Sequence, residues 1–387
     1  MTELILKGTR MLSGLPNQTS DDSFYVAVNQ GKITEVGHTI PSHLQTEKTK
    51  VVTLEKSQQL IPGFIDIHIH GGYGVDVMDH SDKGLHHLKT SLPKEGTTSF
   101  LATTITQSTE SIEQVITQVA NYSNYNGSEI LGLHIEGPFI NEVRKGAQPA
   151  TYILDPSVNQ MERWNRLSKG TIKQVTYAPE RPNGLALTDY LSKHNITPSI
   201  GHSDATFAEI EAALEKGLSQ ATHLFNGMRP LHHREPGVVG TALLMDGIDV
   251  ELIADGIHIH PQMVQFAWKV KGTNSCLLIT DSMRAKGLAE GTYDLGGQDV
   301  EVKDGQATLA DGSLAGSILP MNDAIVNMMR FSGCTFAEAV QMATYNPAKK
   351  LNVLNRKGSI EVGKDADFVI WEDGKVIQTF CKGHECL

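Results

Sequence analysis

Histidines and carboxylates in this chain fall in short phrases that close apolar runs, and those phrases are where chemistry could be done. His68-Ile69-His70, His134-Ile135-Glu136, Gly201-His202, Thr222-His223, Ile257-His258 and Thr280-Asp281 all have this form. The chain holds 16 histidines, and neutral imidazole with carboxylate is the donor set of a catalytic divalent ion. A carboxylate in such a site can also take and return a proton. Alternation along an extended strand puts His68 and His70 on one face, so both can turn toward one ion. Singly, each phrase has a plainer reading. A His-x-His pair can be structural, Glu136 can pair with Arg144 or Lys145, and Asp281 can cap the segment that follows. His202 can open a helix already capped by Ser203 and Asp204, and His223 can be a satisfied core histidine. Their joint position at the ends of apolar runs selects metal binding. A mixed oxygen and nitrogen set of this kind accepts zinc, iron, manganese or cobalt.

The elements that must position these groups are legible as an alternation. Runs at 61–70, 98–104, 130–136, 175–178, 196–201, 220–225, 250–254 and 276–280 read as strands, and most gaps between them can hold a helix. One gap shows its caps: Ser203 to Thr206, then Phe207, Ile210 and Leu214, then Gly217, with Thr206 and Glu209 spaced for a capping box. Eight strands in such alternation predict an α/β fold, a (β/α)8 TIM barrel, over residues 59–349. The strand ends of that barrel converge on one mouth, which brings the six phrases together. An open doubly wound sheet would need a Gly-x-Gly-x-x-Gly turn after its first strand, and Gly71-Gly72-Tyr73-Gly74 does not supply it. Both chain ends have a different rhythm. Short runs at 4–6, 24–28, 32–36 and 50–54, and again at 359–362, 368–371 and 376–380, are separated by turn residues. Residues 1–58 and 350–387 are therefore expected to form one small β-sandwich domain.

Composition removes several function classes. A formal net charge of -11 argues against nucleic acid, since neutralising phosphates needs a basic surface. No run approaches the ~18 apolar residues of a membrane span, and residues 1–10 show no signal-peptide core. A cytoplasmic protein is the expectation. Cys276, Cys334, Cys381 and Cys386 are too few and scattered for a disulfide framework. An anionic small molecule would need a local cationic pocket. The densest cluster is Arg229, His232, His233 and Arg234, just after the sixth run. The guanidinium of Arg234 offers a bidentate fork for phosphate.

The phrase Pro62-Gly63-Phe64-Ile65-Asp66-Ile67-His68-Ile69-His70-Gly71-Gly72 resembles the first-strand signature of the amidohydrolase superfamily, and Gly358-Ser359-Ile360-Glu361-Val362-Gly363-Lys364-Asp365-Ala366-Asp367-Phe368-Val369 resembles its returning β-sandwich segment. Between them, His134-Ile135-Glu136-Gly137-Pro138-Phe139, Gly201-His202-Ser203-Asp204-Ala205-Thr206 and Thr222-His223-Leu224-Phe225-Asn226-Gly227-Met228 run in the same order as in that superfamily's deacetylases of phosphorylated N-acetyl amino sugars. Arg234-Glu235-Pro236-Gly237, Ile253-Ala254-Asp255-Gly256-Ile257-His258 and Thr280-Asp281 continue the likeness over nearly the whole chain.

The resemblance implies a role for each residue. Glu136, His202 and His223 would hold the principal ion. His68 and His70, with the second oxygen of Glu136, would hold another, giving one or two divalent ions per chain. Asp281 would act as general base and then acid. Asn226, the Gly227 backbone, Arg234 and His258 would grip the sugar phosphate, with His260 a substitute for His258. Gln148 stands where some relatives carry a histidine that contacts the acetyl carbonyl. Relatives are typically homodimers in which the loop bearing Arg234 reaches the partner's site. His134 is expected to support the site, and residues 312–317 to wall the sugar pocket. Cyclic-amide hydrolases and deaminases of the superfamily often bridge two ions through a carboxylated lysine; here Glu136 takes the bridging position and no lysine ends a neighbouring strand. A catalytically silent sugar-phosphate sensor would have no use for Asp281.

Overall fold

Strands covered on both faces must be apolar on both faces, and the barrel runs are close to continuously so. The computed structural model describes residues 2–16, 23–123 and 126–387. Eight strands form one parallel sheet in chain order: β1 (Phe64–Ile69), β2 (Thr97–Thr104), β3 (Glu129–Glu136), β4 (Ile172–Tyr177), β5 (Thr197–Ile200), β6 (Gln220–Ala221), β7 (Asp249–Leu252) and β8 (Cys276–Leu278). Helices fill the connections. Among them Phe207–Leu214 carries the capping box of Thr206 and Glu209 that the sequence predicts.

The seam between β8 and β1 is closed at the mouth. Asp281 N donates to His68 O at 2.8 Å, and His70 N and Gly71 N both donate to Ser282 O at 2.9 Å. One turn lower, Thr280 Oγ1 donates to the buried Asp66 carboxylate at 2.5 Å. These bonds lay the end of β8 against the end of β1. Asp281 is thereby set beside the two strand-one histidines.

Two predicted strands differ most in extent. The run 61–70 is two strands, because Gly63 turns the chain between sheets. A Cβ on Gly63 would lie 2.2 Å from Thr98 Oγ1, so only glycine allows the turn this close to β2. Gln59–Pro62 pairs with Phe368–Glu372 in a terminal sheet, and only Phe64–Ile69 joins the barrel. The run 220–225 stops being extended at Ala221. His223 and Phe225 take φ of 31° and 81°, and the segment turns inward across the mouth.

The chain ends form two four-stranded sheets. One orders Lys32–Gly37, Phe24–Asn29, Leu4–Gly8 and Lys50–Thr53; the other orders His384–Glu385, Lys375–Cys381, Phe368–Glu372 and Gln59–Pro62. Leu4, Leu6, Val26 and Val28 of the first meet Phe368, Ile370 and Phe380 of the second in one buried cluster. An antiparallel insertion after β8, Gly291–Leu295, Gln298–Lys303 and Gln306–Thr308, packs Leu295, Val300 and Val302 on Met283 and Ile105 beside the mouth. Among the described residues no helix is long and apolar enough to cross a membrane.

Candidate metal centre and active site

Glu136, the last residue of β3, is the hub. Its Oε1 lies 3.2 Å from His202 Nε2 and 3.0 Å from His223 Nε2, and those two nitrogens are 3.1 Å apart. His202 follows β5 and His223 follows β6, with φ of 47° and 31°. Left-handed backbone is costly for residues with a Cβ and clusters at functional sites. His202 Nδ1 donates to Arg144 O at 2.9 Å, which leaves the Nε2 lone pair facing Glu136 and His223. Gly227 makes room for that ring: a Cβ there would sit 2.8 Å from His202 Nδ1.

A second group adjoins the first. Asp281 Oδ1 is 3.3 Å from His68 Nε2 and 3.2 Å from His70 Nε2. Glu136 Oε2 is 3.2 Å from His70 Nε2, and Glu136 Oε1 is 3.6 Å from His68 Nε2. Glu136 thus belongs to one set, Glu136–His202–His223, and reaches the other, His68–His70–Asp281; the donors of each set are buried and cluster within 4.8 Å. The sequence reading gave Asp281 a proton to carry; the structure also makes it the third donor of the strand-one pair.

Charge within the cluster bears on what it can hold. Burial works against protonation of His70, yet hydrogen bonds to Asp281 and Glu136 outweigh it and push the imidazole up to about 10. His68 is likewise raised well above the ordinary range, with Asp281 and Glu136 overcoming burial. Burial would raise Asp281, but His68 and His70 hold it down at about 2. The carboxylates draw positive charge onto these rings. A divalent cation among the same atoms meets that demand with lone pairs in place of protons. His68 Nε2 makes no hydrogen bond although buried. This donor set fits a metal.

The cavity above measures about 260 Å³ and is lined by Glu136, His202, His223, His70 and Asp281 together with Gln148, Asn226, Gly227 and His258. His68 lies fully buried beneath it. Ser313, Leu314 and Gly316 form part of its wall, as residues 312–317 were expected to do. Gln148 does not turn a free amide to the cavity. Its Nε2 donates to Glu136 Oε2 at 2.8 Å and its Oε1 accepts from Thr106 N at 2.8 Å, so it steadies the hub. His258 Nδ1 donates to Asp255 Oδ2 at 2.6 Å, which fixes the ring. His134 sits in the barrel interior, with Nε2 2.7 Å from Thr176 Oγ1 and burial holding it well below its usual pKa.

Arg234 is not brought to this cavity. It lies on an exposed loop with Nη1 2.8 Å from His233 Nε2, outside the cavity lining. His260 is likewise outside the lining and caps the helix Pro261–Lys271. Three groups under the site escaped the sequence reading: Glu251 of β7, Gln174 of β4 and Gln220 at the start of β6. All are fully buried. Nothing in their local sequence marks them, since each sits inside a run counted as strand. For Asp255, the signal was its spacing three residues before His258.

A closed parallel barrel with imidazole and carboxylate donors at its strand ends defines a class of hydrolases that work through divalent metal. Residues 59–386 match the amidohydrolase family, and the chain belongs to that family. It is 46% identical over 366 residues to the N-acetylglucosamine-6-phosphate deacetylase of Bacillus subtilis, covering 93% of this chain and 92% of that one. It is 49% identical over 356 residues to the enzyme of that name from Lysinibacillus sphaericus, covering 91% and 90%. A solved mutant N-acetyl-D-glucosamine-6-phosphate deacetylase from Mycobacterium smegmatis, in complex with N-acetyl-D-glucosamine-6-phosphate, superposes with a TM-score of 0.90 at 26% identity over the full length of both chains.

Proposed function

We propose that this chain hydrolyses the N-acetyl amide of N-acetylglucosamine 6-phosphate, giving glucosamine 6-phosphate and acetate, in amino-sugar catabolism. The observation that carries the reading is Glu136 standing between two donor sets in one cavity with Asp281. The names of the relatives support the substrate. Glu136, His202 and His223 would hold the principal ion, and His68, His70 and Asp281 would join Glu136 around a second. When bound, such an ion acidifies water and polarises the amide carbonyl. Zinc, iron, manganese and cobalt all suit the donors.

The chain's own groups do the rest. Asp281 is held ionised, with Oδ1 turned to the two imidazoles, and its other oxygen would accept the proton of the attacking water. It returns that proton to the sugar nitrogen as the C–N bond breaks, and the amine departs neutral. Gln148 keeps Glu136 in place. Asn226, the Gly227 backbone and His258 line the side of the cavity where the sugar phosphate would sit. Arg234, exposed on its own chain, serves the cavity of the partner in a homodimer. The protein acts in the cytoplasm.

No lysine lines the cavity among the described residues, which speaks against a carboxylated-lysine bridge. Metal-loaded protein should release acetate from N-acetylglucosamine 6-phosphate, release far less from the unphosphorylated sugar, and lose activity on chelation and regain it on adding metal. The C4 epimer serves as the specificity control. No acetate with any of the four metals would overturn the reading in favour of a silent sugar-phosphate-binding barrel.

A further inference from the structure

Beneath the donors lies a carboxylate that the proposed reaction does not use. Glu251, on β7, is fully buried at the barrel axis. Its Oε2 accepts from His68 Nδ1 at 3.0 Å and from the backbone N of His223 at 3.2 Å. Its Oε1 accepts from Gln174 Nε2 at 2.7 Å and Gln220 Nε2 at 2.5 Å. Four converging donors are what an ionised carboxylate, which can only accept, satisfies. An acceptor at His68 Nδ1 puts the ring proton there. The lone pair is then on Nε2, the buried atom that has no hydrogen bond and faces Asp281 and Glu136. Carboxylate, imidazole and open donor atom stand in line, the arrangement that orients metal-binding histidines and raises their basicity.

Charge leads to the same group. Glu251, Glu136 and Asp281 are three buried carboxylates. Among the described residues their ionic contacts are to histidines. One divalent ion leaves the trio short of positive charge, and a second covers the shortfall.

We propose that Glu251 is a positioning residue for the second ion: it fixes the tautomer and aim of His68 and supplies the buried counter-charge that draws a cation to His68, His70 and Asp281. This rests on the two-ion reading above. Glu251→Gln keeps the shape. Gln174 and Gln220 each have an Oε1 without a partner, so both amides can flip to turn an oxygen to the new NH₂ group, which has two hydrogens to donate.

The test is metal stoichiometry by elemental analysis and affinity by chelator competition, on protein loaded with zinc or cobalt. The unaltered protein should hold two ions per chain. Glu251→Gln should weaken the second about 10–100-fold and the first far less, since its amide oxygen can still accept from His223 N, a selectivity that general destabilisation would not give. In a His68→Gln background, adding Glu251→Gln should cost less than it does alone, because the share of its effect carried through His68 is already gone. Glu251→Asp, which keeps the charge but draws it back from His68, stands in if Glu251→Gln does not fold and should also weaken the second ion more than the first. Two ions of unaltered affinity in these variants would overturn the proposal while leaving the two-ion reading intact. One ion per chain in the unaltered protein would overturn the two-ion reading itself, and the proposal with it.

Discussion

Asp281 shows how much of the site depends on single residues in costly conformations. It holds a left-handed backbone at φ 48° so that its carboxylate meets His68 and His70. Asp281→Asn is nearly isosteric but cannot take a proton at neutral pH. Its kcat should fall by roughly 10²–10⁴, the worth of a general acid–base group, with an unchanged circular dichroism spectrum. Retention of more than about a tenth of kcat, a barrier change below ~1.4 kcal/mol, would remove Asp281 from the proton path. Gly227 is the complementary case. Its φ of 57° and the 2.8 Å approach of a Cβ to His202 Nδ1 mean that Gly227→Ala must displace the His202 ring, a proposed metal donor. The variant should lose ~1–3 kcal/mol of stability and release its principal ion on dialysis that the unaltered protein withstands. Equal retention would show that the His202 ring has room to move.

At the scale of elements, the strand ends place the chemistry and the strand starts anchor it. Glu129 opens β3 and is gripped bidentately by Arg356, at 2.9 and 3.0 Å. Lys357 and Lys382 also reach it, at 2.9 and 3.2 Å. This ties the barrel floor to the C-terminal segment that enters the sandwich. Burial would raise the Glu129 carboxyl, but Lys357 and Arg356 hold it well below the usual carboxylate range. A depressed folded pKa means that the unfolded chain takes up protons first. The stability from Glu129 is thus present above the unfolded value near ~4.3 and is lost as pH falls below it. Glu129→Gln should cost about 1.5–3 kcal/mol at pH 7, the worth of hydrogen bonds to charged groups. It should also flatten the decline in stability below about pH 4.3. Urea unfolding at pH 7 and pH 3.5 measures both; an unchanged acid slope would place the pH-sensitive contact elsewhere.

For the whole molecule, the proposed phosphosugar must be held by an acidic chain whose densest cationic loop faces solvent. Arg234 is exposed and outside its own cavity, as is the nearby Leu231. If the loop serves a second copy, Arg234→Ala should impair turnover of the 6-phosphorylated sugar and barely change that of the unphosphorylated one. Arg234→Ala and Asp281→Asn proteins, each impaired alone on the phosphorylated sugar, should then complement on mixing. A mixed dimer has one site with both groups intact, so random exchange restores activity toward about a quarter of wild type. No recovery after proven exchange would place Arg234 in its own chain's site or outside the reaction.

The phrases that end on His68, His70, Glu136, His202, His223 and Asp281 are local, and so are the alternating runs that carry them. Barrel geometry brings strand ends to one mouth whatever lies between, so the fold and most of the donor cluster could be read from order and spacing. Local spacing could not show Gln148 turned onto Glu136, because that contact depends on how the loop after β3 folds back. It could not show Gly63 handing the chain from sandwich to barrel, which depends on how closely Thr98 approaches. Nor could it show Glu251, whose meaning comes from four donors on β1, β4 and the β6 segment meeting at the barrel axis. Sequence fixes residue type and period along a strand. Which side chains face one another across a closed barrel is decided only when the seam between β8 and β1 shuts, and that closure set Asp281 beside the histidines.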